Sequence, residues 1–115
     1  MYHGWNGQLI APQNSINYYN SVVKSVGNSA KDSMKLFMAP GMQHCQGGAG
    51  PSSFDAVTLM EQWVEDGKAP EKMIASHSTQ GTVDRTRPLC AYPQVATYNG
   101  TGSTDEAANF SCKAQ

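Results

Sequence analysis

Met34-Lys35-Leu36-Phe37-Met38 reads as a short strand, apolar on both faces and halted at once by Pro40-Gly41. A strand of that kind belongs to a buried parallel sheet, where helices cover both sides. It needs a neighbour along each edge, and the rest of the chain offers few strand candidates. The expectation is that part of the sheet lies outside this sequence, with Met1 a truncation point or an internal methionine.

The surrounding segments agree with a layered α/β arrangement. Ile10 to Gly27 has helical spacing, with Ile16, Tyr19, Val22, Val23 and Val26 on one face, Asn14 as cap and Gly27 as stop. A second helix is signalled by Pro51, by a Ser52–Asp55 capping pair and by Gly67 at its end. Its apolar face would be Phe54, Val57, Met60, Trp63 and Val64. Lys72 to Ser76 and Gln94 to Tyr98 are strand candidates, and the remainder from Ser78 to Gln115 reads as loop. No repeat, low-complexity tract or linker divides the chain.

With 115 residues, one small domain is the upper bound. A net charge of -1 gives no reason to expect nucleic acid or an anionic membrane as partner, and no apolar run is long enough to span a bilayer. The N-terminus shows no basic-then-apolar signal. Three cysteines (Cys45, Cys90 and Cys112) leave at least one unpaired within the chain. Two glycosylation sequons, Asn99-Gly100-Thr101 and Asn109-Phe110-Ser111, tilt the reading toward an oxidising, secretory compartment.

Chemistry concentrates at Pro40-Gly41-Met42-Gln43-His44-Cys45, which sets a histidine in a loop just beyond a strand. Loops at the carboxyl ends of parallel strands are where α/β sheets assemble their sites, and an imidazole there can carry a proton between nucleophile and leaving group. An ordinary surface histidine fits the same spacing. No serine has Gly-x-Ser-x-Gly neighbours: Ser52 is better explained as a cap, and Ser53 and Ser76 to Ser78 lie in the wrong setting. Cys45 as nucleophile beside His44 would require adjacent side chains to point at one another. His3, His44, His77 and Cys45 lack paired metal-ligand spacing, and Gly47-Gly48-Ala49-Gly50 lacks the Lys-Ser/Thr ending of a phosphate loop. Trp5, Trp63 and the tyrosines read as core, Trp63 anchoring its helix on the sheet.

The histidine stretch does not stand alone. Tyr2-His3-Gly4-Trp5-Asn6-Gly7-Gln8-Leu9-Ile10, Ser53 to Ala56 with Trp63 to Pro70, Thr86 to Ala96, and Ala108-Asn109-Phe110-Ser111-Cys112 follow in order. Together they resemble the tannase/feruloyl esterase family, serine esterases of α/β-hydrolase fold. The resemblance covers nearly the whole chain and implies that residues 1–115 form the C-terminal part of a catalytic domain whose nucleophile-bearing half and lid lie elsewhere. It implies that His44 is the base and acid of a Ser-His-Asp triad acting on aromatic, phenolic-acid esters. Cys45 would join a cysteine preceding the serine, and Cys90 would pair with Cys112. A calcium ion is implied for the lid, with no cofactor or metal on these residues.

One departure cuts against this reading. The family's acid belongs to a His-Gly-x-x-Asp pattern, and here Gly7 takes the Asp position. Asn6 next to it offers an acceptor without charge. The competing expectation is therefore a secreted, non-catalytic module or pseudoenzyme. In either case the isolated chain should not turn over an ester.

Overall fold

The computed structural model describes residues 1–114. Its elements are β1 (Tyr2–Gly4), α1 (Pro12–Val26), α2 (Ala30–Ser33), β2 (Phe37–Ala39), α3 (Ala56–Asp66), β3 (Lys72–Thr79), β4 (Thr82–Cys90), β5 (Gln94–Tyr98) and β6 (Phe110–Ala114), with a 3-10 turn at Ala107–Asn109. β1 and β2 run parallel, Tyr2 opposite Phe37 and Gly4 opposite Ala39, and α1 and α2 form the crossover between them. β3 and β4 make an antiparallel hairpin, as do β5 and β6.

β2 is buried on both faces, as its sequence requires. Phe37 and Ala39 join a cluster with Met42, Met73, Ala75, Leu89 and Ala91, while Leu36 just before the strand packs with Ile16 and Tyr19 of α1. Both edges of β2 are occupied from within the chain, contrary to expectation. β1 lies along one edge; Phe37 bridges Ala91 on the other, and Tyr92 N–H donates to Leu36 C=O at 2.7 Å. Among the described residues β1 has β2 as its one strand neighbour.

Several boundaries differ from the sequence reading for local reasons. α1 begins at Pro12 behind Ala11, because proline's fixed φ and missing N–H suit the first helical position. Asn14 therefore lies inside the helix and caps nothing, and Val26 is exposed at its end. α3 is capped by Asp55 alone, whose carboxylate accepts from Thr58 N–H at 3.0 Å. Ser52 and Ser53 instead donate their backbone N–H groups to Ser76 C=O on β3. Gly67 ends α3 in the left-handed region, as expected. The face α3 turns to the core is Ala56 and Leu59, with Phe54 just before the helix, whereas Val57, Met60 and Val64 are exposed.

The tail holds two strands expected as loop, Thr82–Cys90 and Phe110–Ala114. Gln80 and Gly81, both at positive φ, form the two-residue turn that folds β4 back onto β3. The Cys90–Cys112 disulfide, with Cα atoms 5.6 Å apart, staples β4 to β6 as the resemblance implied.

Candidate active site

The parallel register brings β1 and β2 to an end side by side, so the loops that follow them leave the same edge of the sheet. The first loop is fastened to the second by its backbone: Trp5 N–H donates to Ala39 C=O and Asn6 N–H to Met42 C=O, each at 3.0 Å. Gly4 makes this approach possible, since a Cβ there would overlap the carbonyls of Met42 and Gln43. Met42, fully buried, roots the second loop in the core. A bridge from Met42 to Gly48 then closes residues 42–48 into a small excursion, with His44 and Cys45 exposed near its tip.

His44 thus sits just beyond a parallel strand, beside the loop carrying Gly7. Together with Tyr2, His3, Gly4, Ile10, Met42 and Cys45 it lines a cleft of about 180 Å³. Its hydrogen-bond partner among the described residues is Cys45, whose Sγ lies 3.2 Å from Nδ1. Neighbouring side chains therefore do meet here, because Cys45 adopts φ of 68° and turns its sulfur back toward the ring. Among the described residues no carboxylate and no serine hydroxyl reaches the imidazole. An exposed imidazole so placed can take up and give back a proton.

His3 plays another part. Nε2 lies 3.2 Å from Ile10 C=O and Nδ1 lies 2.7 Å from Ser15 Oγ. A carbonyl can only accept, so Nε2 carries the proton and Nδ1 accepts from the hydroxyl. Both nitrogens are spent on tying the first loop to α1. Gly7 closes a turn, donating to Gly4 C=O at 3.1 Å, and its φ lies outside the left-handed region. A Cβ at position 7 would stand 3.3 Å from Gly4 C=O and 3.5 Å from His3 Nε2, close but open to a side chain after a small adjustment.

His77 is on β3, paired with Asp84 of β4 at 2.6 Å. Thr79 donates to the same carboxylate, and that hydroxyl bond, followed by His77, holds Asp84 below the usual carboxylate range. The three histidines do not converge, and among the described residues no three His, Cys, Asp or Glu side chains gather as a metal would need. Asn99 is exposed and accepts from Ser111 Oγ, whereas the half-buried Asn109 spends its amide N–H on Ser103 C=O at 2.9 Å. Sequence reasoning missed Arg87, whose guanidinium lies over the Phe110 ring at 3.8 Å. Its alternation with Arg85 on a strand was the available signal.

The fold is that of solved ester hydrolases. The chain overlays feruloyl esterase B from Aspergillus oryzae with a TM-score of 0.85 at 29% identity, covering 97% of this chain and 26% of that one. It overlays the tannin acyl hydrolase of Aspergillus niger with a TM-score of 0.77 at 25% identity, covering 99% of this chain and 22% of that one. Residues 1–113 match the tannase and feruloyl esterase family, and the chain belongs to it. A mono(2-hydroxyethyl) terephthalate hydrolase of Piscinibacter sakaiensis is 39% identical over 99% of this chain and 19% of its own length. A probable feruloyl esterase of Arthroderma benhamiae is 38% identical over 96% of this chain and 22% of its own. The chain spans about a fifth to a quarter of the length of these relatives.

Proposed function

We propose that this chain is the C-terminal part of a secreted serine esterase acting on esters of phenolic acids, and that it contributes the catalytic histidine, His44. The observation that carries the reading is the position of that imidazole: exposed, at the carboxyl end of a parallel strand, backbone-fastened to the loop where the family's acid would stand. In the whole protein a serine outside this chain attacks the ester carbonyl while His44 takes its proton. The imidazolium returns the proton to the departing alcohol, and His44 then activates water against the acyl-enzyme. Cys45, exposed and unbonded among the described residues, would bond to a cysteine beside that serine and hold nucleophile and base within reach.

Three features support secretion: the Cys90–Cys112 bond and the two sequons, of which Asn99 is the more open acceptor. The second reading, a pseudoenzyme, is favoured by Gly7, which offers nothing to orient His44. Hydrolysis of methyl ferulate by the full-length protein tests both. Measurable turnover that His44→Ala reduces by on the order of 10³-fold or more supports the esterase. A full-length protein with no turnover, still silent after Gly7→Asp, establishes the non-catalytic module. Turnover by the isolated 115-residue chain, lost on His44→Ala, would overturn the dependence on an outside serine.

A further inference from the structure

Two asparagines are followed by glycine, Asn6-Gly7 in the loop after β1 and Asn99-Gly100 in the loop after β5. Such a pair has chemistry of its own. With no Cβ to crowd it, the glycine nitrogen can reach the preceding side-chain amide and close a ring onto it.

Both asparagines are exposed, but the fold treats them oppositely. Gly7 N–H donates to Gly4 C=O at 3.1 Å, so the nitrogen that would attack Asn6 is held in a turn. Gly100 N–H has no partner among the described residues, and a Cβ built on Gly100 would meet nothing within 4 Å. The Asn99 amide is prepared from the other side as well. Ser111 Oγ donates to its Oδ1 at 2.7 Å from the paired strand β6, at the atom where negative charge gathers as the carbonyl is attacked. The loop is fastened around this amide, Asn99 N–H donating to Asn109 C=O at 2.9 Å and the Tyr98 hydroxyl to Gly102 C=O at 2.7 Å.

We infer that Asn99-Gly100 is a self-modifying site, at which the amide converts to an acid with water as co-reactant and Ser111 as activating donor. The Gly100 nitrogen gives its proton to solvent and bonds to Asn99 Cγ. The Cγ–Nδ2 bond breaks, Nδ2 leaves as ammonia, and a succinimide remains. Water then opens the ring. Opening at Cγ gives aspartate, and opening at the backbone carbonyl gives isoaspartate, with the chain rerouted through the side chain. Either product places a negative charge just beyond β5, and the nitrogen expelled is the one a glycan on this sequon would need. Asn109 of the other sequon is followed by the bulky Phe110 and keeps its Nδ2 on Ser103 C=O. The inference goes beyond the ester chemistry proposed for His44 and uses none of its groups.

Peptide mapping by mass spectrometry of the 115-residue chain, held in mildly alkaline buffer, tests the site. The mass gain of amide-to-acid conversion should accumulate at Asn99 at least about tenfold faster than at Asn6, with isoaspartate among the products. In urea, where the turn and the hydroxyl contact are lost, the two rates should converge. Ser111→Ala should slow conversion at Asn99 about fivefold, the rate equivalent of one hydrogen bond, and Ser111→Thr, which keeps a hydroxyl, should restore it. His44→Ala should change nothing, so that failure of the esterase reading and failure of this site are separate results. Equal rates at Asn6 and Asn99 in the folded chain, or a difference that persists unchanged in urea, overturn the proposal without recourse to any variant. So does a Ser111→Ala chain that converts as fast as its parent.

Discussion

A carboxylate at position 7 would stand beside His3 and on the loop that is bonded to the His44 loop, which makes Gly7→Asp the sharpest single change available. In the full-length protein it should raise kcat on methyl ferulate, by up to about 10⁴-fold if the acid is all that is lacking. Steady-state kinetics with KM followed separately would show whether the gain lies in the chemical step. On the β3–β4 hairpin, Asp84 gives a pH prediction. Its folded pKa is depressed below 3.8 by Thr79 and then His77, so its contribution is present above that value and is lost as pH falls through the lower, folded one. Acid titration followed by NMR should show the β3–β4 turn loosening below about pH 4, an effect absent in Asp84→Asn. At this scale the sequence was informative where chemistry is local, as at His44, and silent where it is assembled across the chain. Arg87 alternates with Arg85 in the sequence, but that it lies over the Phe110 ring shows only once β4 and β6 are brought together.

Among the elements, the doubly buried strand was the most legible, because a run with no polar face has one place to go. Leu36, with no exposure, should cost about 2–5 kcal/mol on change to Ala, read as a lowered urea midpoint. The helices were legible as elements but less so at their ends and faces. Ser52 looked like a cap because capping and strand bridging draw on the same residue types, and only the fold shows that its N–H goes to β3. β4 escaped notice for a related reason. Thr82-Val83-Asp84-Arg85-Thr86-Arg87 is polar on both faces over its exposed half, so period-two patterning has nothing to register. β6, joined to β4 through the disulfide, is likewise fixed from outside, by β5 and by that bond. Replacing Cys90 and Cys112 together by serine should lower stability by about 3 kcal/mol, the loop-closure value for a bond across 22 positions, measurable as a shift in denaturant midpoint.

For the whole molecule, two apolar clusters flank β2, and a third apolar surface is left uncovered. Val57, Met60 and Val64 recur at helical spacing along the outer side of α3, and they were expected in the core. The periodicity of α3 was real, but it cannot say which of two apolar stripes faces inward. The isolated chain should accordingly bind the dye ANS, and Met60→Lys with Val64→Lys should reduce that fluorescence while leaving the circular dichroism intact. The bond between Cys90 and Cys112 has one more outcome at this scale. The exposed stretch from Asn99 to Glu106 between β5 and β6 lies inside the covalent ring it closes. A protease that nicks this stretch leaves two polypeptides joined through sulfur, migrating as one band on a gel until a reductant parts them.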